Sequence, residues 1–327
     1  MPDSEGFILG IDLGGTKIVS AVVDGRGAVV ARDRTATPAA EGPEAVIAAV
    51  VESSRCALTQ AKISASNVLA IGVGAPGLVN AGLGVVHTSP NLPGWRDVPL
   101  REPIEKALNI KAFLINDANA AAVGELYFGA GRGCRHFVYI TVSTGIGGGI
   151  IIDGKLYNGA SGLAGELGHM VIADDGPLCR CGNRGCWEML ASGTALAREA
   201  RRRIGAGAST SILDHTAGAV DKIDAQAVHA AALAGDALAS ELIHRNAYYL
   251  GVGLANIVNV FNPERIVIGG GLSNLGDMLL KPAIEEAERR AFKQPFQAVR
   301  FVTAELGADS GVIGAAAYAR QQSLGRG

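Results

Sequence analysis

A chain of 327 residues, 48% hydrophobic and 18% charged, is long enough for two domains and apolar enough to give each a core. Its formal net charge of −2 provides no general field for nucleic acid or an anionic membrane. The densest basic cluster, Arg201-Arg202-Arg203, reads as a solvated helix face.

The N-terminal segment Met1–Gly6 is polar and acidic, without the basic and long apolar regions of a secretory signal. The uncharged stretches Phe137–Ile152 and Asn246–Pro263 are interrupted by glycine or asparagine, which argues against a membrane span. Three of the five cysteines crowd into Cys179–Cys186. Without an export signal this pattern points to metal binding before disulfides, and to a cytoplasmic protein.

The chain opens as a three-strand meander: Phe7–Asp12, a Gly14-Gly15 turn, Ile18–Val23, a second turn, then Ala28–Arg32. Pro43 starts a helix whose apolar residues Val46, Ile47, Val50, Ala57 and Leu58 recur with helical period. Leu69–Val73 and Ala112–Ile115 are short apolar runs of the kind found in buried parallel strands. The opening pattern returns in Phe137–Val142, the glycine turn Ser143–Gly149, Gly149–Ile152 and Lys155–Tyr157, which predicts a duplicated architecture. Helices follow at Ala225–Ala234 and Ala237–Phe261. A strand at Arg265–Ile268 ends in Gly269-Gly270-Gly271. Met278–Phe292 is then helical, Val299–Thr303 a strand, and Ser310–Arg320 the last helix.

Two glycine turns directly follow strands. In Asp12-Leu13-Gly14-Gly15-Thr16-Lys17, backbone N–H groups can approach phosphate oxygens, Thr16 adds a hydroxyl and Lys17 a charge. Asp12, at the strand end, is placed to hold Mg²⁺ through water. The second turn, Ser143-Thr144-Gly145-Ile146-Gly147-Gly148-Gly149, fits neither a Walker A nor a dinucleotide fingerprint. Either turn alone is equally well a plain hairpin; two in one chain favour a two-sided phosphate clamp. Gly270 and Gly271 form a third candidate, beside a nucleotide base.

His169, Cys179, Cys181 and Cys186 supply four ligands of the type that tetrahedral Zn²⁺ takes. Four protein ligands leave no open position, so the metal is expected to be structural. Cys56 and Cys134 are expected to be inert packing residues.

Gly10-Ile11-Asp12-Leu13-Gly14-Gly15-Thr16-Lys17, Glu166-Leu167-Gly168-His169 and the run from Cys179 to Glu188 resemble the motifs of the ROK family of sugar kinases. The likeness extends from about Phe7 to Arg320. It implies an α/β fold of two RNase H-like (actin-like ATPase) domains flanking a cleft, the last helix returning to the first. The expected division is a smaller domain, 1–117 plus 309–327, and a larger one, 118–308, carrying the zinc loop. It implies ATP-dependent phosphorylation of a hexose, favouring the 6-hydroxyl of glucose, with Mg²⁺ accompanying the nucleotide and a homodimer or homotetramer as the assembly. Kinases for N-acetylmannosamine, N-acetylglucosamine or fructose are the near alternatives. A non-catalytic sugar-sensing regulator is the alternative of another class. The family also contains repressors with an N-terminal winged helix; the phosphate motif near residue 10 leaves no room for one. An actin-like ATPase or chaperone would leave the zinc and glutamate motifs unexplained, and ADP or polyphosphate stays open as donor.

Asn116-Asp117 sits between a strand and a helix, where Asp commonly serves as an N-cap; in the family, the Asp of this motif is the catalytic base. By the same resemblance Asn91, Asn116, Asp117, Glu166, His169 and Glu188 contact the sugar, with Gly77 in Gly74-Ala75-Pro76-Gly77 adding backbone contacts. Asp12, Gly14, Gly15, Thr16, Lys17, Thr144, Gly145, Gly147, Gly270 and Gly271 hold ATP. His169 would be shared, one ring nitrogen on zinc and the other on a sugar oxygen, so that the metal fixes the orientation of a substrate ligand.

Overall fold

The computed structural model describes residues 6–325; residues 1–5, most of the N-terminal segment read above for export signals, and 326–327 lie outside the described residues. The meander forms as β1 (Phe7–Leu13), β2 (Lys17–Val23) and β3 (Val29–Ala36), followed by α1 (Pro43–Ala61). Then come β4 (Val68–Ala75), β5 (Leu78–Asn80), β6 (Val85–Thr88), β7 (Arg96–Pro99), α2 (Arg101–Leu108), β8 (Ala112–Asn116) and α3 (Asp117–Phe128). The duplicated segment gives β9 (Phe137–Val142), β10 (Ile146–Ile152) and β11 (Lys155–Leu156). The remainder is α4 (Glu188–Ala191), α5 (Gly193–Gly205), α6 (Ala225–Leu233), α7 (Ala237–Phe261), β12 (Arg265–Gly269), α8 (Asp277–Arg290), α9 (Lys293–Ala298), β13 (Arg300–Thr303) and α10 (Ser310–Ser323).

Two five-stranded sheets have the orders β3-β2-β1-β4-β8 and β11-β10-β9-β12-β13. Each joins an antiparallel meander to two further strands. In the first sheet β1 pairs antiparallel with β2 and parallel with β4, and β4 is parallel to β8. In the second, β12 is parallel to both β9 and β13. The repetition predicted from the glycine turns is therefore one of whole sheets. The small antiparallel sheet β5-β6-β7 was not predicted, because strands of three or four residues are too short to show alternation.

The chain divides into two compact units. The first takes the chain up to Arg135, Gly149–Gly165 and the chain from Ala304 on; the second is His136–Gly148 with Glu166–Thr303. Within the first, the side chains of β1 alternate between two layers, as pleating dictates. Leu9, Ile11 and Leu13 join Val46 and Val50 of α1 in one apolar cluster. Ile8 joins Val312, Ile313 and Ala316 of α10 in another. Full burial of such a side chain contributes roughly 1.5–3 kcal/mol relative to exposure. Helix α10 lies so close to the sheet that a Cβ at Gly10 or Gly72 would strike its backbone carbonyls at Val312 or Ala315. The last helix thus belongs to the first sheet.

Three expectations are adjusted. The second glycine turn is tighter than predicted: β10 begins at Ile146 and takes Gly147, Gly148 and Gly149 into the strand. Gly149 is needed there because a side chain would meet Ala122 of α3. Helix α8 ends at Arg290 and a separate short helix, α9, follows. Of the arginine trio, Arg202 pairs with Glu199 and Arg203 with Glu241 at the surface, but Arg201 donates to the carbonyl of Ile223 at 2.6 Å. No helix among the described residues is long and apolar enough to cross a membrane.

Candidate active site

In the first unit, β1 delivers Asp12 to the start of the glycine turn, which the Gly14 N–H closes by donating to the Lys17 carbonyl at 2.9 Å. Thr37 donates its hydroxyl to the Gly14 carbonyl at 2.7 Å, pinning the turn from β3's end. Burial pushes the Asp12 carboxyl above its ordinary value, with the Lys17 charge pulling it back. The N-terminal turn of α10 comes against this carboxyl: a Cβ on Gly311 would stand 3.0 Å from Asp12 Cγ. A Cβ on Gly15 would stand 2.7 Å from the Asn91 carbonyl. The first glycine turn and the exposed Asn91 are therefore neighbours.

Strand β8 ends at Asn116, and here the structure separates two roles. Asn116, not Asp117, caps α3: its Oδ1 accepts from the N–H groups of Ala118 and Asn119 at 3.0 and 3.1 Å. Its amide donates to the Gly77 carbonyl at 3.1 Å. Both acceptor sites and one donor of Asn116 are thereby used, leaving one N–H for a ligand. Gly77 has φ +94° and no space for a side chain beside the Thr88 carbonyl, so the loop holding Asn116 admits only glycine at that point. Asp117, half-buried, follows as the first residue of the helix, and its Oδ1 accepts from the Ala118 N–H at 2.8 Å.

In the second unit the turn after β9 is closed by the Ser143 N–H donating to the Gly145 carbonyl at 2.9 Å. Glu188, at the start of α4, brings its Oε2 within 2.6 Å of where a Gly145 Cβ would be. The carboxylate and the glycine turn are in contact. Trp187 is fully buried, its indole donating to the Tyr249 carbonyl at 2.9 Å, and Gly253 of α7 has no room for a side chain beside it. This packing fixes the position from which Glu188 projects.

His169 lies in a short 3₁₀ turn, Leu167–His169. Its Nδ1 is 3.6 Å from Cys179 Sγ, while its Nε2 is 3.9 Å from Glu166 Oε2. Glu188 Oε1 is 3.9 Å from Nδ1. Burial raises the Glu166 carboxyl above its ordinary value, the His169 charge opposing and the Glu188 charge adding to the shift. One ligand atom from each of His169, Cys179, Cys181 and Cys186 lies within 4.8 Å of the other three. Cys181 and Cys186 Sγ are 3.5 Å apart. A tetrahedral ion about 2.3 Å from sulfur and 2.0–2.1 Å from nitrogen requires edges of roughly 3.5–3.8 Å, so the cluster fits such an ion. The loop closes on itself through Cys179 N–H to the Asn183 carbonyl at 2.8 Å. Cys56 is half-buried and Cys134 buried, both apart from this group.

The same unit has a pocket of about 290 Å³ lined by Ser143, Thr144, Gly271, Leu272 and Leu275, by Gly193, Thr194 and Arg201 of α5, and by Asp224 and Gln226. The Gly270 turn, at φ +88°, presses on the end of β9 with no space for a Cβ beside the Val142 carbonyl. Two of the glycine segments singled out in the sequence therefore share one pocket. Gly147 does not line it; it lies in β10. The α5 and α6 wall was not anticipated. Asp224 before an apolar run signals an N-cap, but nothing in that signal places it on a pocket.

A family model described as the ROK family matches residues 8–322. The chain is 38% identical to a glucokinase of Halalkalibacterium halodurans over 98% of its own length and 96% of the relative's. It is 32% identical to the xylose repressor of Bacillus subtilis over 94% of its length but 76% of the repressor's. Among solved structures, a ROK family glucokinase from Streptomyces griseus, in complex with glucose and AMPPNP, superposes with a TM-score of 0.85 at 38% identity, covering 97% of this chain and 100% of that one. The duplicated mixed sheets agree with that two-domain, actin-like fold. On the match across nearly its whole length, the chain belongs to the ROK family.

Proposed function

We propose that this protein is an ATP-dependent glucokinase, transferring the γ-phosphoryl group to the 6-hydroxyl of glucose. The observation that supports the reading is the contact between Gly145 and Glu188, a carboxylate able to accept from sugar hydroxyls beside a glycine turn able to bind phosphate. Glu166 and Glu188 accept from sugar hydroxyls, and His169 adds Nε2, the ring nitrogen directed away from the thiols. Asn91 and the remaining N–H of Asn116 contribute polar contacts, and Gly77 backbone groups. The turns at Gly14-Gly15-Thr16-Lys17 and Thr144-Gly145 bind phosphates, with Asp12 positioning Mg²⁺ through water. Asp117 orients the attacking hydroxyl and accepts its proton late, as a loose phosphoryl-transfer transition state allows.

Zinc is the ion that the donor set of one imidazole and three thiolates favours. When bound it supplies a fixed frame with no open coordination position. His169, through Nδ1, would be held in one tautomer and orientation, and the Cys179–Cys186 loop would be tied to the base of Glu188. Thiolate ligands of this kind persist in a reducing compartment, which supports a cytoplasmic location. The homodimer or homotetramer expected from the family is settled by light scattering.

An ADP-release assay with Mg·ATP against glucose, fructose, mannose, N-acetylglucosamine and N-acetylmannosamine tests the proposal. A preference for glucose in kcat/KM is expected; preference for an acetylated sugar would move the substrate and keep the mechanism. Since a repressor shares the fold, sugar binding without turnover on any donor would assign the chain to the sensing class.

A further inference from the structure

The pocket beside Thr144 is, at about 290 Å³, at the small end of ligand pockets (roughly 300–1,000 Å³) and of a size for one nucleoside. Leu272 and Leu275, both buried, give it an apolar wall suited to a base. Thr144, in the turn proposed above to bind phosphate, lines it as well. Two charged residues, Arg201 and Asp224, also line it.

Asp224 caps α6 with one oxygen only: Oδ1 accepts from the Ala227 N–H at 2.8 Å. Its other oxygen has no hydrogen-bond or ion-pair partner among the described residues. Arg201, on the same pocket, donates to the Ile223 carbonyl and leaves this carboxylate unneutralised. An ionised carboxylate only accepts hydrogen bonds. On a nucleotide, phosphate oxygens and the ring nitrogens of adenine are themselves acceptors and would be repelled. The donors are the 6-amino group of adenine, at the end of the base remote from the phosphates, and the vicinal ribose hydroxyls, which lie between base and phosphate; Asp224 lines the same pocket as the apolar Leu272 and Leu275 and as Thr144.

We propose that Asp224 is the ribose-reading residue of the donor site, its second oxygen accepting from the 2′- and 3′-hydroxyls. The inference rests on the ATP-dependent reading above, and it makes the donor a ribonucleotide specifically, as opposed to polyphosphate or a deoxynucleotide.

The test is calorimetric binding of Mg·ADP and Mg·2′,3′-dideoxy-ADP to the wild type and to Asp224→Ser, which needs no phosphoryl transfer. Serine caps a helix about as well as aspartate and spends its single oxygen in doing so. Hydrogen bonds to a charged group are worth about 1.5–3 kcal/mol, so the wild type should prefer the ribonucleotide by roughly tenfold to a hundredfold in Kd. In Asp224→Ser the preference should fall to within about threefold, by weakening of ADP and not by tightening of the analogue. Asp224→Asn, which keeps cap and shape but not charge, should give an intermediate preference, and serves if the serine variant unfolds. Full preference retained in the variants, or no preference in the wild type, overturns the assignment. Failure of the glucokinase reading would be seen separately, as no turnover of any sugar in the ADP-release assay.

Discussion

Replacing Gly145 with alanine isolates the contact on which the functional reading depends. Gly145 does not have a positive φ, so alanine fits its backbone and folding stability should change by less than about 0.5 kcal/mol. The new Cβ, however, would stand 2.6 Å from Glu188 Oε2. To reach ordinary van der Waals separation the carboxylate must retreat by about 0.8 Å, enough to spoil a hydrogen bond of normal length. A hydrogen bond to a charged group is worth about 1.5–3 kcal/mol, and losing half of it costs about 0.75–1.5 kcal/mol. The KM for glucose should therefore rise about 3- to 13-fold, measured by ADP release at saturating ATP. If the effect passes through Glu188, Gly145→Ala should add nothing to the loss already caused by Glu188→Ala. An unchanged KM, or an effect fully additive with that of Glu188→Ala, would refute the reasoning.

Three further outcomes follow from the same geometry. Asp117→Ala should retain glucose binding by calorimetry and lower kcat by about 10²–10⁴-fold; because Asn116 carries the cap, its melting temperature should stay close to wild type, and near-normal turnover would remove Asp117 from the role. Elemental analysis should find about one zinc per chain, and stripping it with a chelator should raise proteolytic sensitivity within Cys179–Cys186 along with the KM for glucose; a folded, active, zinc-free preparation would contradict this. Burial raises the Asp12 carboxyl, so the folded chain favours its neutral form: its contribution to stability is greatest below the ordinary carboxylate pKa and declines as pH rises toward the raised value. Asp12→Asn should accordingly be more stable than the wild type at pH 7, read as a higher Tm, while losing activity. In the wild type kcat/KM should fall on acidification above the ordinary carboxylate range, and Lys17→Met should move that limb further up.

The elements that could be read from sequence are those whose own residues impose a period or a break. Pro43 and the spacing of Val46, Val50, Ala57 and Leu58 outlined α1 because one helical face meets the core. The metal cluster was legible because four ligands fall within a short span, where folding has little freedom to separate them. The distinction between Asn116 and Asp117 was not legible: either side chain caps a helix, and only the carbonyl of Gly77, 39 residues away, decides which one is engaged. The start of β10 was misplaced for a related reason. Its glycines look like a turn, and their actual cause, the close approach of α3 at Gly149, is a tertiary contact. The pocket wall at Arg201 and Asp224 was hidden in the same way, since a helix face and an N-cap are complete local explanations for those two residues.

The most direct test of the central claim is ³¹P NMR of a mixture of the protein, Mg·ATP and glucose, which identifies both donor and product. The account predicts conversion of ATP to ADP with stoichiometric appearance of glucose 6-phosphate. Phosphate on another hydroxyl, or ADP accompanied only by inorganic phosphate, would contradict it.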